Sequence, residues 1–163
     1  MAVTVTSFDQ IITGTPGADT LIGGDGADWI LGGDGNDTIY GGKGNDLLEG
    51  GAGDDAIYAV RGNDTLLGGD GNDMLHSGRH NSTLDGGAGD DLLIADLQVG
   101  ADHLLTGGAG ADTFSVINTV TGTGSVTITD FEIGTDLLEL NGATVAAIAA
   151  VTGGVELTLG SQD

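Results

Sequence analysis

The stretch that decides the fold runs from Gly32 to Tyr58 and reads GGDGNDTIY GGKGNDLLE GGAGDDAIY, three copies of one nine-residue unit. Each copy has glycine at positions 1, 2 and 4, aspartate at position 6 and an apolar residue at position 8. Eleven units share this frame, beginning at Gly14, Gly23, Gly32, Gly41, Gly50, Ala59, Gly68, Ser77, Gly86, Ala95 and Gly107. A short fixed period of this kind predicts a solenoid.

Position 8 is apolar in every unit and predicts the core. Its residues are Leu21, Ile30, Ile39, Leu48, Ile57, Leu66, Leu75, Leu84, Leu93, Leu104 and Phe114. One inward side chain per unit fits a very short strand. Two units then form one coil of 18 residues, with a strand on each face and a turn at each edge. Because the apolar column keeps its frame, the pattern argues against a disordered Gly/Asp-rich linker.

Charge and composition point to a bound cation. The 163 residues include 33 glycines, and the net charge is -22. Aspartates on one edge would stack about 4.8 Å apart, the usual spacing of strands, and would repel one another. Calcium accepts six to eight oxygen ligands in flexible geometry. Carboxylate and carbonyl donors, in place of Cys or His, argue against zinc and copper.

Over residues 12–140 the chain resembles the RTX, or haemolysin-type calcium-binding, repeat proteins. The resemblance implies an all-β, right-handed parallel β-roll with several Ca²⁺ ions bound between consecutive turns of one edge. It implies that the carboxylate ligands are Asp19, Asp28, Asp37, Asp46, Asp55, Asp64, Asp73, Asp91, Asp102 and Asp112. It also implies backbone ligands from the glycine turns, at Gly23, Gly24, Gly26, Gly32, Gly33, Gly35, Gly41, Gly42, Gly44, Gly50, Gly51, Gly53, Gly68, Gly69, Gly71, Gly86, Gly87 and Gly89.

The two edges of such a roll differ in regularity. Alternate units place Asp19, Asp37, Asp55, Asp73, Asp91 and Asp112 on the first edge, and Asp28, Asp46, Asp64, Ser82 and Asp102 on the second. The degenerate turns fall on the second edge: Ala59 and Val60 replace a glycine pair, and the unit at Ala95 has three extra residues. We therefore expect calcium along the whole first edge, and weak, altered or absent sites next to Ser82.

Apart from histidine, the chain has three basic residues, which recur every 18 residues. Each follows a ring by three positions, giving the pairs Tyr40–Lys43, Tyr58–Arg61 and His76–Arg79. The rings occupy position 9, which should face outward. We call these six residues the cation lane. Guanidinium groups bind carboxylates bidentately, so the lane predicts a site for an extended anionic polymer, with flat rings against its sugars. Alternatively, the cations only soften local repulsion, or the pattern is the remnant of an 18-residue duplication.

RTX units are similar to the R-modules of mannuronan C-5 epimerases, which are non-catalytic and in some cases bind alginate. This resemblance implies an acidic polysaccharide as the partner. The alternative is a secretion and folding module, or a structural surface protein, with no ligand but calcium. The acidic charge argues against nucleic acid, and we expect a monomer. An ice-binding surface would need a regular threonine array, which the outward column Thr20, Thr38, Ala56 and Met74 lacks.

We expect three regions: an N-terminal cap strand in residues 1–13, the roll in 14–115 and a C-terminal cap in 116–163. Alternation over Val3–Thr6 predicts the first strand. Residues 130–140 resemble the cap that follows RTX rolls in serralysins, with Glu139 in place of the usual aspartate. Residues 143–151 predict a short helix, although their β-branched residues weaken it. Residues 155–159 predict a last strand.

No sequence feature indicates an enzyme. His-Glu-x-x-His, Gly-x-Ser-x-Gly and P-loop motifs are missing, and the chain has no cysteine. His76 and His80 fit a surface site better than a catalytic base, and His103 is expected to be exposed. The sequence shows no classical signal peptide. The family resemblance implies type I export and folding outside the cell, at millimolar calcium. It also allows an accessory module of a secreted epimerase, protease or lipase.

Overall fold

The computed structural model describes residues 8–97, 100–118, 124–141, 145–151 and 154–159. Its strands are β1 (Gln10–Thr13), β2 (Thr20–Asp25), β3 (Asp28–Asp34), β4 (Thr38–Lys43), β5 (Leu47–Ala52), β6 (Ala56–Arg61), β7 (Thr65–Asp70), β8 (Met74–His76), β9 (Thr83–Ala88), β10 (Leu92–Leu97), β11 (Asp102–Ala109), β12 (Thr113–Asn118), β13 (Ser125–Ile128), β14 (Leu137–Asn141), β15 (Val145–Val151) and β16 (Gly154–Leu159). These described residues include no helix, and thus none long and apolar enough to cross a membrane.

Alternate strands build two separate sheets. One has nine strands in the order β1-β3-β5-β7-β9-β11-β13-β16-β15, and the other has seven in the order β14-β12-β10-β8-β6-β4-β2. Neighbours within the repeats are parallel and in register, as in the pairs Ile39 with Ile57 and Leu48 with Leu66. Each coil therefore contains two units, one per sheet. The predicted parallel β-roll is confirmed.

The core is a thin double column of position-8 side chains between the two sheets. Fully buried members are Ile30, Ile39, Leu48, Ile57, Leu66, Leu75, Leu84, Leu93 and Phe114, while Leu21 at the first coil is partly buried. One apolar side chain per nine ordered residues is little burial to set against the lost chain entropy. The edges of the roll must therefore contribute to stability.

The expanded unit differs from the sequence prediction by one residue. Leu105 pairs with Leu84 and is fully buried, whereas Leu104, predicted to point inward, is 41% exposed. The three extra residues are accommodated before position 6 of this unit, which shifts β11 along by one place. His103 consequently occupies position 6 and is buried, so the expectation that it is exposed was wrong.

Parallel stacking continues beyond the last repeat and then changes direction. β13 pairs with β11 and β14 with β12, both in parallel, and β16 and β15 follow in antiparallel pairing. The predicted last strand is confirmed as β16. The predicted helix was wrong, because β15 (Val145–Val151) is a strand paired along its length with β16. Residues Val3–Thr6 lie outside the described part, and the boundaries after residues 13 and 115 stay predictions.

Candidate calcium sites

The glycine turns stack closely because they lack Cβ atoms. Glycines at positions 2 and 4 have positive φ angles, such as 112° at Gly33 and 110° at Gly35, a conformation that costs L-residues with a side chain. A Cβ at Gly51 would meet the carbonyl oxygen of Gly33 in the preceding coil. The repeated glycines are thus required by the backbone, and they bring carbonyl groups of successive turns together.

The position-6 aspartates form a hydrogen-bonded ladder along each edge. On the first edge, Oδ1 of each aspartate accepts a hydrogen bond from the backbone N–H of the aspartate one coil earlier. The pairs are Asp19–Asp37 at 2.8 Å, Asp37–Asp55 at 2.7 Å, Asp55–Asp73 at 2.8 Å, Asp73–Asp91 at 2.8 Å and Asp91–Asp112 at 3.0 Å. The unbroken first-edge column predicted from the sequence is therefore present as a physical ladder.

The ladder extends one rung further than the sequence prediction. The Asp112 N–H donates to Oδ1 of Asp136 at 3.1 Å, a residue that was not among the predicted ligands. Oδ2 of Asp136 accepts from the Glu132 N–H at 2.8 Å, which closes the ladder at this end. The signal was available in the sequence, since Asp136 precedes the partly buried Leu138 by two residues, the spacing of positions 6 and 8.

The second carboxylate oxygen of the ladder aspartates is buried and unpartnered. Oδ2 has no hydrogen-bond partner in Asp28, Asp37, Asp46, Asp55, Asp64, Asp73 and Asp91, and in Asp28 neither oxygen has one. Leaving a buried polar atom unsatisfied costs about 1–3 kcal/mol, and more for a charged group. A row of buried, unpartnered carboxylate oxygens of this kind indicates binding sites for cations next to the Oδ2 atoms.

Six of the seven unpartnered Oδ2 atoms, all but that of Asp64, lie close to a carbonyl oxygen of the next coil beside a position-1 glycine. A Cβ on Gly23 would lie 2.5 Å from Oδ2 of Asp28 and 2.5 Å from the carbonyl oxygen of Gly41, one coil later. We call this space an oxygen cradle. Cradles with an unpartnered Oδ2 recur in the pairs Gly23/Asp28, Gly32/Asp37, Gly41/Asp46, Gly50/Asp55, Gly68/Asp73 and Gly86/Asp91.

The donor set of the cradles fits calcium. Every donor named is an oxygen, and each cradle brings one carboxylate oxygen close to one backbone carbonyl oxygen of a neighbouring coil, which are the donor types that calcium prefers. The described residues contain no group of three or more His, Cys, Asp or Glu side chains that could hold a metal. That result is consistent with the cradles, because carbonyl groups would supply the other ligands. When bound, calcium would neutralise the carboxylates and link successive coils.

The electrostatics of the ladder also favour a cation. Burial raises the pKa of Asp64 and Asp73 to about 7 and that of Asp91 to about 6. Hydrogen bonds from the backbone of the preceding ladder aspartate oppose the rise in pKa, and repulsion between ladder carboxylates adds to it. Without a cation, the folded chain would therefore retain protons on these side chains near neutral pH.

The second edge loses its ladder where the sequence becomes degenerate. The Asp28 N–H donates to Asp46 and the Asp46 N–H to Asp64, both at 2.9 Å. At the next rung, the Ser82 hydroxyl donates to the Ser77 carbonyl oxygen at 2.9 Å. Ala59 places a methyl group where the regular units have a position-1 glycine. The interruption lies where the sequence predicts altered sites, and the calcium occupancy there stays a prediction.

Asp102 and His103 have exchanged the places expected for them. Asp102 is exposed, and its Oδ1 accepts hydrogen bonds from the Ser125 N–H at 3.1 Å and hydroxyl at 2.7 Å. His103 accepts from the Ser82 N–H at Nδ1, and its Nε2 lies 3.3 Å from the Asp96 carbonyl oxygen. Burial lowers the pKa of His103. A neutral imidazole thus occupies this rung, and the predicted ligand Asp102 lies one residue outside the ladder.

The cation lane is assembled on the outer face of the seven-stranded sheet. Tyr40 and Tyr58 are stacked, with ring centroids 5.0 Å apart and planes at 11°, and His76 follows at 6.2 Å and 33°. The facing surfaces of the two tyrosine rings lie against each other and are not open to a sugar, so the prediction of flat rings against sugars was wrong for these two surfaces.

The basic side chains of the lane differ in their surroundings. Lys43 and Arg61 are paired in register on β4 and β6, and Lys43 Nζ lies 2.9 Å from the Asp25 carboxylate. β8 ends at His76, so Arg79 lies in the following turn. The three basic residues of the lane therefore lie on one side of the roll but differ in their ion pairing and in the backbone that carries them.

Comparison with known families agrees with this geometry. The chain matches the RTX calcium-binding nonapeptide repeat, in overlapping segments 5–39, 13–48, 31–66, 49–80 and 67–98. Together these cover residues 5–98, more than half of the 163 residues. No curated protein sequence matches the chain significantly. The repeats bind several calcium ions and are typical of secreted proteins. The chain belongs to the RTX calcium-binding nonapeptide repeat family.

Proposed function

We propose that the chain is a non-catalytic module of a secreted protein that is exported by a type I system. The module folds when it binds calcium outside the cell. It then binds an acidic polysaccharide along the cation lane. The observation that carries the calcium part is the row of buried, unpartnered Oδ2 atoms. The observation that carries the polysaccharide part is the stacked ring column flanked by the three basic residues of a chain with net charge -22.

Calcium drives folding through the ladder in this proposal. Deprotonated aspartates one coil apart repel each other, and their Oδ2 atoms have no partner in the protein. Cations in the oxygen cradles remove both penalties, so their binding free energy becomes folding free energy. Sites of moderate affinity fill at about millimolar calcium and stay empty at cytosolic concentrations. The chain would therefore remain unfolded until it is exported.

The lane suits a linear polymer of uronates because its features recur along the axis of the roll. Parallel pairing sets successive coils about 4.8 Å apart, so a ring and a cation recur on one face of the roll in three successive coils, although Lys43 is paired with Asp25 and Arg79 lies in a turn. Guanidinium groups pair with carboxylates in two parallel hydrogen bonds. The resemblance to epimerase R-modules supports the same class of ligand.

Retention of the calcium-loaded protein on an immobilised uronate polymer tests this proposal. Changing Lys43, Arg61 and Arg79 together to alanine should abolish most retention, because it removes every cation of the lane. Far-UV circular dichroism in calcium should stay at the wild-type value, since these side chains lie outside the core. A neutral glycan column serves as the control. Full retention of the triple variant would exclude the lane as the binding surface.

One observation favours a second function. Lys43 forms an ion pair with Asp25, so at least this cation offsets local negative charge. In that case the chain would be a folding and secretion module, or a structural surface module, with calcium as its sole ligand. The retention experiment distinguishes the two functions, because a module that binds calcium alone would be retained neither on the uronate column nor on the neutral glycan column.

A further inference from the structure

The first turn of the first edge, residues 14–19, is built differently from the regular turns. Thr15 stands at position 2 and Pro16 at position 3, where the regular unit at Gly86 has Gly-Ala. Neither Thr15 nor Gly17 is among the described residues of positive φ, although the glycines at positions 2 and 4 of the regular turns all have it. A residue before proline is held in extended backbone, so Pro16 keeps Thr15 out of the left-handed conformation.

This different backbone gives Asp19 hydrogen-bond donors that the next aspartate of the edge lacks. The Thr15 N–H donates to Oδ2 of Asp19 at 2.6 Å, and the Thr15 hydroxyl donates to the same oxygen at 2.9 Å. In Asp37, the corresponding Oδ2 has no partner. The space beside Gly14 otherwise resembles a cradle, since a Cβ there would meet both Oδ2 of Asp19 and the Gly32 carbonyl oxygen. The first rung thus has the oxygens of a calcium site together with protein donors.

A side-chain amide occupies the first rung of the second edge. Gln10 pairs in register with Asp28, so it stands at the ladder position one coil earlier. Its Nε2 donates to the Gly23 carbonyl oxygen at 3.1 Å. Gly23 is at position 1, and position-1 carbonyl oxygens of the following coil, such as that of Gly41, line the cradles. An amide N–H therefore contacts the kind of oxygen that calcium would bind further along the edge.

Protein donors also stand beyond the other end of each run of cradles. On the second edge, the Ser82 hydroxyl donates to the position-1 carbonyl oxygen of Ser77 at 2.9 Å. On the first edge, the Glu132 N–H donates to Oδ2 of Asp136 at 2.8 Å. The six cradles with an unpartnered Oδ2 lie between these rungs and those of the first coil. Each run of cradles is thus bounded on both sides by a rung whose oxygen already accepts a hydrogen bond.

The hydrogen bonds at Asp19 leave no room for a cation on the same oxygen. An ionised carboxylate has about four lone-pair sites on its two oxygens, so the two donors of Thr15 use the capacity of Oδ2. Both donors direct a partly positive hydrogen at the place that a cation would take. Calcium could bind there only if the protein gave up two charge-assisted hydrogen bonds. At the cradles, no such bond has to be broken.

We infer that Thr15 and Gln10 take the place of calcium at the first rung of each edge, so that Asp19 is not a calcium ligand and the first turns close without an ion. This inference rests on the calcium part of the proposed function and is independent of the polysaccharide. It assigns the bound ions to the six cradles, four on the first edge and two on the second.

The same substitution at two rungs of the first edge tests the inference on the full chain. Asp19→Asn and Asp55→Asn remove the same charge, and native mass spectrometry at saturating calcium counts the bound ions. We expect Asp19→Asn to keep the wild-type count, because Thr15 contacts its Oδ2, and Asp55→Asn to lose at least one ion. Loss of an ion in Asp19→Asn would overturn the inference for Thr15, and this variant decides even if Asp55→Asn does not fold.

A gain of one ion is the complementary test at the same rung. Thr15→Gly combined with Pro16→Ala gives the first unit the pattern of the unit at Gly86 and removes the hydroxyl. We expect one more bound ion than in the wild type. Thr15→Ser is the matched control, because it keeps the hydroxyl, the N–H and Pro16, and it should keep the wild-type count. An unchanged count in the double variant would show that Thr15 does not exclude calcium.

Gln10→Glu tests the second edge in the same way. It would set a carboxylate oxygen against the Gly23 carbonyl oxygen, which is the donor pair of a cradle, so we expect one additional ion. Thr13→Glu is the control, because it adds the same charge at an exposed position of the same strand and should add no ion. Equal counts in the two variants would overturn the role of Gln10.

Calcium binding by the wild-type chain separates this inference from the proposed function. A wild-type chain that binds no calcium would overturn both. A wild-type chain that binds calcium, with loss of an ion in Asp19→Asn, would overturn the role of Thr15 and leave the cradles in place. A full ion count in Asp55→Asn as well as in Asp19→Asn would contradict the cradles themselves.

Discussion

At the scale of single residues, the position-1 glycines serve the metal sites rather than the backbone conformation. Gly50 has no positive φ, so alanine would fit its backbone. A Cβ there would nevertheless meet Oδ2 of Asp55 and the Gly68 carbonyl oxygen at 2.6 Å. The glycine therefore keeps the oxygen cradle open. Ala59 is a natural case in which a methyl group stands at this position, on the edge where the ladder stops.

Gly50→Ala should accordingly remove one calcium site from the middle of the first edge. We expect one fewer bound ion by native mass spectrometry and a loss of about 1–3 kcal/mol in unfolding free energy at saturating calcium. Gly17→Ala is the control, because a Cβ at Gly17 meets no atom within 4 Å. An unchanged ion count in Gly50→Ala, with Gly17→Ala also unchanged, would show that the cradle does not hold the ion.

At the scale of elements, the aspartate ladders make the calcium-free roll sensitive to pH. The pKa of Asp64 and Asp73 is about 7 in the folded chain and that of Asp91 about 6, against an ordinary value near 3.9 in an unfolded chain. Because the folded chain holds these protons more tightly than the unfolded chain, protonation stabilises the fold. This stabilisation is fully present below pH 3.9 and is lost as the pH rises through 6 to 7. Protons and calcium thus compete for the same carboxylates.

We therefore expect the chain in chelator to retain more β-structure by circular dichroism at pH 4.5 than at pH 7.5. The calcium concentration at the folding midpoint should rise as the pH falls from 7 to 5, because protons must first leave the ladder. A midpoint that is independent of pH over this range would contradict the assignment of the ladder carboxylates as ligands. Magnesium at equal ionic strength controls for simple screening of charge.

Most of these elements could be predicted from the sequence, because a constant period fixes both the inward column and the edge of each turn. The register of the expanded unit could not be predicted, since its three extra residues can be placed at several points of the turn. The pairing of Leu105 with Leu84 decides among these placements. The strand β15 (Val145–Val151) was missed because its alanines favour a helix locally, whereas pairing with β16 is a tertiary effect.

At the scale of the whole molecule, the roll has a small core and many unpaired charges. A thin column of apolar side chains holds the two sheets together, and the net charge of -22 works against a compact state. Cradles on both edges connect most of the coils, so ions bound there would stabilise neighbouring coils together. We therefore expect folding to depend cooperatively on the calcium concentration, since each filled site orders a turn that also supplies ligands to the next calcium site.

The most direct measurement is a calcium titration at pH 7.5, with far-UV circular dichroism as the readout and native mass spectrometry for the number of bound ions. The oxygen cradles predict a largely unfolded chain in chelator, a cooperative gain of β-signal at about millimolar calcium, and several ions in the folded species. A chain that is fully folded in chelator, or one that gains no structure with calcium, would contradict this account.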